Sequence, residues 1–152
     1  MEAAFLKSMI SVGFTIPKKN ILLSIGRIED KANFLASAKA LQRMGFDLFA
    51  TEGTSDFLKD NGVKNLKLFK VSTGKSPNII DYIGEKKLDL VIDIPKNYTR
   101  QEITDGYIIR RKAIDMNIPL LTNLQVAKLL TEALKQYKIG DLEIKSWDEY
   151  VK

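Results

Sequence analysis

Thr51-Glu52-Gly53-Thr54-Ser55 sets three hydroxyl side chains and a glycine in five consecutive positions, directly after the apolar run FDLFA at 46–50. A helix that follows such a run at once offers unpaired backbone N–H groups and the positive end of its dipole. Gly53 would let the backbone approach a ligand closely, and Thr51 and Thr54 would add hydroxyl donors. That set of groups suits a phosphate or a carboxylate. The same residues would also serve if Thr54 or Ser55 simply caps the helix. Glu52 works against an anion unless its carboxylate points away or pairs with a lysine.

A second hydroxyl-rich turn, Ser72-Thr73-Gly74-Lys75-Ser76-Pro77, follows the next apolar segment and is flanked by Lys70 and Lys75. It contains Gly-Lys-Ser but lacks the earlier glycine of a phosphate-binding P-loop, which excludes ATP hydrolysis of that type. Lys31 opens the helix after the first strand, so three cations would surround one pocket and favour a dianion. Asp93 precedes Ile94-Pro95-Lys96-Asn97. It would repel a phosphate but accept hydrogen bonds from sugar hydroxyls, or it caps the next turn. Arg110-Arg111-Lys112 reads as a solvated helix face.

The 152 residues suit one domain with a real core. Cysteine is absent, so there is no disulfide framework or thiolate metal site, and histidine is absent too. Imidazole-based acid–base chemistry is therefore impossible within this chain. The formal charge of +5 favours anionic partners without choosing among them. A nucleic-acid module is one way to use that charge, but the sequence carries no recognisable motif for it, and no nucleic-acid partner is expected. No apolar run reaches membrane-spanning length, and Glu2, Lys7 and Ser8 interrupt any signal-peptide core. A cytoplasmic protein without a membrane partner is expected.

The elements that must hold these residues alternate. A helix is expected over 2–12 and an extended linker around Pro17, with a domain boundary between 1–19 and 20–152. Strands are expected at 20–26, 46–50, 65–71, 88–94 and 118–122. Helices are expected at 30–45, 54–62, 76–87, 103–117 and 123–137. The helix at 76–87 is expected to open with Ser76 as N-cap and Pro77 at its first position. A loop is expected at 95–101, and a short strand and turn in the tail LEIKSWDEYV. Five alternations imply a parallel sheet covered on both faces, with ligands beyond the strands' carboxyl ends.

ATEGTSDFL with NGV, DLVIDIP, DGYIIRRKA and IPLLTNLQVAKL, in that order, resemble the carboxyl-terminal regulatory domain of the carbamoyl-phosphate synthase large subunit. The opening AFLKSMISVGFTIPKKNILLSIG resembles the join to the preceding synthase region. The resemblance implies a methylglyoxal-synthase-like fold: three layers, α/β/α, around a five-stranded parallel sheet. It implies one domain of a much longer large subunit, whose ATP-using modules, with Mg or Mn, lie elsewhere; no cofactor is expected in this domain. It also implies a role in binding an allosteric effector that adjusts carbamoyl phosphate synthesis for the pyrimidine and arginine pathways. Relatives respond to uridine or inosine monophosphate, to uridine triphosphate and phosphoribosyl pyrophosphate, or to N-acetylglutamate. The implied partners are that effector, the rest of the large subunit and its glutaminase small subunit.

The phosphate-binding positions implied by the resemblance are Lys31, Thr51, Thr54 and Lys70, with Gly53 for close approach. Lys75, Asp93 and Asn97 complete the expected effector set. The position of Asp93 is often Asn in relatives, and that of Glu52 is His in some. The tryptophan that N-acetylglutamate-binding relatives carry near the third strand is missing, since Trp147 lies in the tail; a nucleotide such as UMP is favoured. The enzyme of this fold, methylglyoxal synthase, uses aspartate and histidine. Its catalytic aspartate position reads Ser76 here, and Asp105 alone does not make the site, so no catalytic residue or metal ligand is expected.

Overall fold

A computed structural model of the chain describes residue 7, residues 17–96 and residues 100–139. The expected helix at 2–12 is described only at Lys7, which is helical. The tail lies outside the described residues.

From residue 17 onward the described elements are β1 (Asn20–Ile25), α1 (Ile28–Arg43), β2 (Asp47–Ala50), α2 (Glu52–Asp60), β3 (Leu66–Lys67), a 3-10 turn (Val71–Thr73), α3 (Ile79–Gly84), β4 (Leu90–Ile94), α4 (Arg100–Asp115), β5 (Leu120–Leu121) and α5 (Leu124–Ile139). The five strands form one parallel sheet in the order β3-β2-β1-β4-β5. Side chains alternate along each strand, so each central strand feeds two cores. Ile21, Leu23 and Ile25 of β1, with Leu90, Ile92 and Ile94 of β4, join Phe34, Leu41, Leu58 and Leu130 beneath α1, α2 and α5. Leu22 and Val91 point the other way, onto Ile79 and Ile83 of α3 and Ile109 and Ala113 of α4. The three layers follow from that division.

β1 pairs with β2 on one side and β4 on the other, and the chain winds outward in both directions from it. The carboxyl ends of β1 and β4 are thus a topological switch point, where a crevice opens because the connections leave to opposite sides. Register places Ser24 beside Asp93 and Ile25 beside Ile94. Asp93 falls two residues after Val91, on the face covered by α4.

Several boundaries differ from the expected ones. α1 begins at Ile28 and α2 at Glu52, so Thr51 occupies the N-cap position instead of Thr54 or Ser55. Only Leu66–Lys67 of the expected third strand pair in the ladder, at the sheet edge. The helix expected from Ser76 starts at Ile79. Asn78 is its N-cap and accepts the Asp81 N–H at 2.8 Å. The preceding residues pair with the extended chain instead: Phe69 N–H donates to Pro77 O at 2.8 Å, and Ile79 N–H to Phe69 O at 2.9 Å. Those bonds hold Pro77 and Asn78 in extended pairing beside Phe69, so the helix begins only at Ile79.

Candidate functional site

A cavity of about 260 Å³ lies at the switch point. Its walls come from the ends of β1 (Ser24, Ile25, Gly26), β2 with the first turn of α2 (Thr51 to Thr54), β4 (Asp93 to Lys96) and α4 (Gly106, Ile109), with Lys31 and Lys70 completing it. Of the residues expected from sequence, Lys31, Thr51, Gly53, Thr54, Lys70 and Asp93 meet here. Lys75 does not line the cavity; its Nζ lies 5.5 Å from the centre of the Phe69 ring. Asn97 lies outside the described residues.

The first turn of α2 is the part closest to an anion cradle. Ser55 N–H already donates to Thr51 O at 2.6 Å, which leaves the amides of residues 52–54 as those a helix start does not pair internally. Thr51 makes no side-chain capping bond. Its hydroxyl has only long contacts, 3.3 Å to Thr54 Oγ1 and 3.5 Å to Ser24 Oγ, so it can turn toward a ligand. Thr54 is different. Its hydroxyl donates to Ile25 O at 3.0 Å and accepts Ile25 N–H at 3.0 Å, sewing α2 to the end of β1. It is a positioning residue whose proton is already engaged, which departs from its expected role as a ligand donor.

The turn at 72–77 makes no second cradle. Thr73 Oγ1 donates to Lys70 O at 2.8 Å and accepts Lys75 N–H at 3.2 Å. Ser72 Oγ donates to Asp105 Oδ2 at 3.3 Å. The hydroxyls of Thr73 and Ser72 satisfy the turn itself and α4, and only Lys70 from this region lines the cavity.

Charge in the cavity is crowded. Burial lowers the Lys31 ammonium below the usual lysine value, and the positive charges of Lys96 and Lys70 lower it further. Lys31 Nζ donates to Gly26 O at 3.2 Å. Three lysines, Lys31, Lys70 and Lys96, and two acidic residues, Glu52 and Asp93, are among the residues that line the cavity. Asp93 is buried, and burial raises its carboxyl above the ordinary aspartate value, opposed by Arg110, Lys70 and a hydrogen bond from Ser24. Arg110 Nη1 lies 3.4 Å from Asp93 Oδ2.

Arg110 and Lys96 are the residues that sequence reading missed. Arg110 belongs to a basic run expected to be solvated, yet it reaches inward because Gly106 stands one turn before it: a Cβ on Gly106 would lie 2.7 Å from Arg110 Nη1. The Gly106–Arg110 spacing, set against an Asp on the α4-facing phase of β4, was the available signal. Gly26 is as closely constrained, since a Cβ there would meet the Lys96 backbone at 2.3 Å. This contact brings Lys96 over the end of β1.

Among the described residues no group of acidic, histidine or cysteine side chains can hold a metal ion, and no helix is long and apolar enough to cross a membrane.

Residues 33–122 match the MGS-like domain family. The chain is 44% identical over 149 residues to the multifunctional protein pyr-3 of Neurospora crassa, covering 93% of this chain and 8% of that protein. It is 42% identical over 145 residues to the mitochondrial carbamoyl-phosphate synthase [ammonia] of Homo sapiens, covering 93% and 10%. The carbamoyl phosphate synthase large chain of Methanothrix thermoacetophila is 37% identical over 150 residues, covering 99% and 14%. The chain therefore spans 14% or less of these relatives' length. A crystal structure of methylglyoxal synthase from Elizabethkingia anophelis superposes with a TM-score of 0.55 at 15% identity, covering 76% of this chain and 79% of that one, which bears on the fold alone.

Proposed function

The chain belongs to the MGS-like domain family, and on that premise we propose that it is the effector-binding regulatory domain of a carbamoyl-phosphate synthase. The effector is a phosphate-bearing metabolite, UMP or a related nucleotide. The observation that carries this reading is the convergence of Lys31, Lys70 and Lys96 with the first-turn amides of α2 on one cavity. Burial, and after it the charges of Lys96 and Lys70, disfavour the Lys31 ammonium, and a bound dianion would offset both. The cavity volume is near the lower end of ligand pockets, which run from about 300 Å³ upward. It suits a phosphate and a sugar-sized group.

In this reading the domain binds without transforming its ligand and acts on the ligase to which it is joined. The wider partners are the remainder of the synthase and its glutaminase subunit, in the cytoplasm, serving pyrimidine and arginine synthesis. Phosphate contact would fix Lys96 and the start of the segment after β4, which packs on Gly26. Couplings of this kind amount to about 1–3 kcal/mol, limited by the effector's differential affinity for the two states.

A thermal-shift panel tests the reading. UMP, IMP, UTP and phosphoribosyl pyrophosphate are compared with N-acetylglutamate and ornithine. UMP or a related nucleotide should raise the melting temperature most, and Lys31→Ala should erase the rise. No shift with any phosphorylated compound at millimolar concentration overturns it.

A further inference from the structure

We propose that Asp93, held by Arg110 at the inner wall of the cavity, is a specificity-determining residue. It selects anions that carry hydroxyl or amino donors beside their phosphate and rejects those that present a second carboxylate there. The inference rests on the cavity being an anion site, as proposed above, and adds which anions it takes.

An ionised carboxylate is an acceptor only, with about four lone-pair directions. Asp93 is 5% exposed, at the end of the central strand pair. Arg110 Nη1 approaches one of its oxygens, Oδ2, at 3.4 Å, and the contact is long for a charge-assisted bond. Ser24, in register beside it, supplies a second bond. The pair is lopsided, with the Arg110 side chain 34% exposed and that of Asp93 7%. Arg110 therefore moderates the charge of Asp93, and Asp93 is among the residues that line the cavity. A buried acceptor gains from a ligand that brings donors, and a carboxylate brought beside it meets both repulsion and loss of water. Lys31 and the α2 amides hold the phosphate in either case. Asp93 decides what the other end of the ligand is.

The test compares two ligands of equal length, glycerol 3-phosphate and 3-phosphoglycerate, by titration calorimetry or ligand-observed NMR. They share a phosphate and a three-carbon chain and differ in a terminal hydroxymethyl against a carboxylate. The wild-type chain should prefer glycerol 3-phosphate by on the order of tenfold or more, the range of a hydrogen bond to a charged group. Asp93→Asn should bring the ratio to within about threefold or invert it. Asp93→Ser, a smaller neutral side chain, should move the ratio the same way and keeps the question answerable if Asp93→Asn does not fold. Binding of both esters with a wild-type ratio near one, or a ratio unchanged in Asp93→Asn, overturns the proposal while leaving the anion site standing. A ratio unchanged in Asp93→Ser overturns it as well. Failure of both esters and of inorganic phosphate to bind at all removes the anion site itself.

Discussion

Two turns of this molecule look alike in sequence and do opposite things. Thr51–Ser55 and Ser72–Pro77 both follow apolar strands and are rich in hydroxyls. The first leads straight from a four-residue strand beside β1 into a nine-residue helix, so its amides emerge at the sheet's carboxyl edge. The second follows a two-residue edge strand and folds onto itself, with Thr73 bonded to Lys70 and Lys75, and Ser72 to Asp105. Hydroxyl content therefore does not make an anion site. What decides is whether the strand ends beside the central pair and whether the helix begins on the next residue.

The largest effect that can break this comparison lies in Thr54. Thr54→Val removes both bonds to Ile25 and leaves a buried N–H and C=O without them. Unfolding by urea should show a loss of about 2–3 kcal/mol. A loss below about 0.5 kcal/mol would show that α2 needs no stitch. Next comes the cradle itself. Thr51→Ala and Lys70→Ala should each weaken effector binding about tenfold in calorimetry, and unchanged affinity in both would remove them from the site.

Asp93 sharpens the contrast through pH. Its native carboxyl titrates above the ordinary 3.8, so between those values the native state holds more protons than the unfolded chain. Stability relative to Asp93→Asn should therefore rise as pH falls through the native value and level off below 3.8. A relative stability that falls on acidification would mean that Arg110 stabilises the ionised form more than burial penalises it. The smallest effect is expected at the silent turn: Lys75→Ala and Thr73→Ala should leave effector affinity within about twofold. A tenfold loss in either would restore the second turn to the site.

The architecture was legible in the sequence because NILLSI and LVIDI are continuous apolar runs and glycines end the intervening helices. Gly45 and Gly62 indeed adopt positive φ, 96° and 81°, as residues after a helix end commonly do. The third strand was less legible, since NLKLFKV has the alternation of an edge strand but pairs over only two residues. The start of α3 was misread because Ser-Pro is a good helix opening locally, while the bonds between 77–79 and Phe69 are not local. The site divides in the same way. Lys31, Thr51, Gly53, Thr54, Lys70 and Asp93 follow from strand ends and the family resemblance. Arg110 lies within DGYIIRRKA, but its role is not read from that motif, because its partner is 17 positions away and meets it only through the register of β4 and the packing of α4, with the Gly106–Arg110 spacing as the one local signal.

The stitch from Thr54 to the end of β1 has a kinetic corollary. The part of the receiving surface that α2 supplies is fixed beforehand, so first capture there waits on no rearrangement and proceeds at the pace of encounter, hastened by the surrounding ammonium groups, while the settling of Lys96 follows it. How long the regulator stays then depends almost wholly on its escape. Signals of different strength should differ in residence time and hardly at all in how quickly they are sensed.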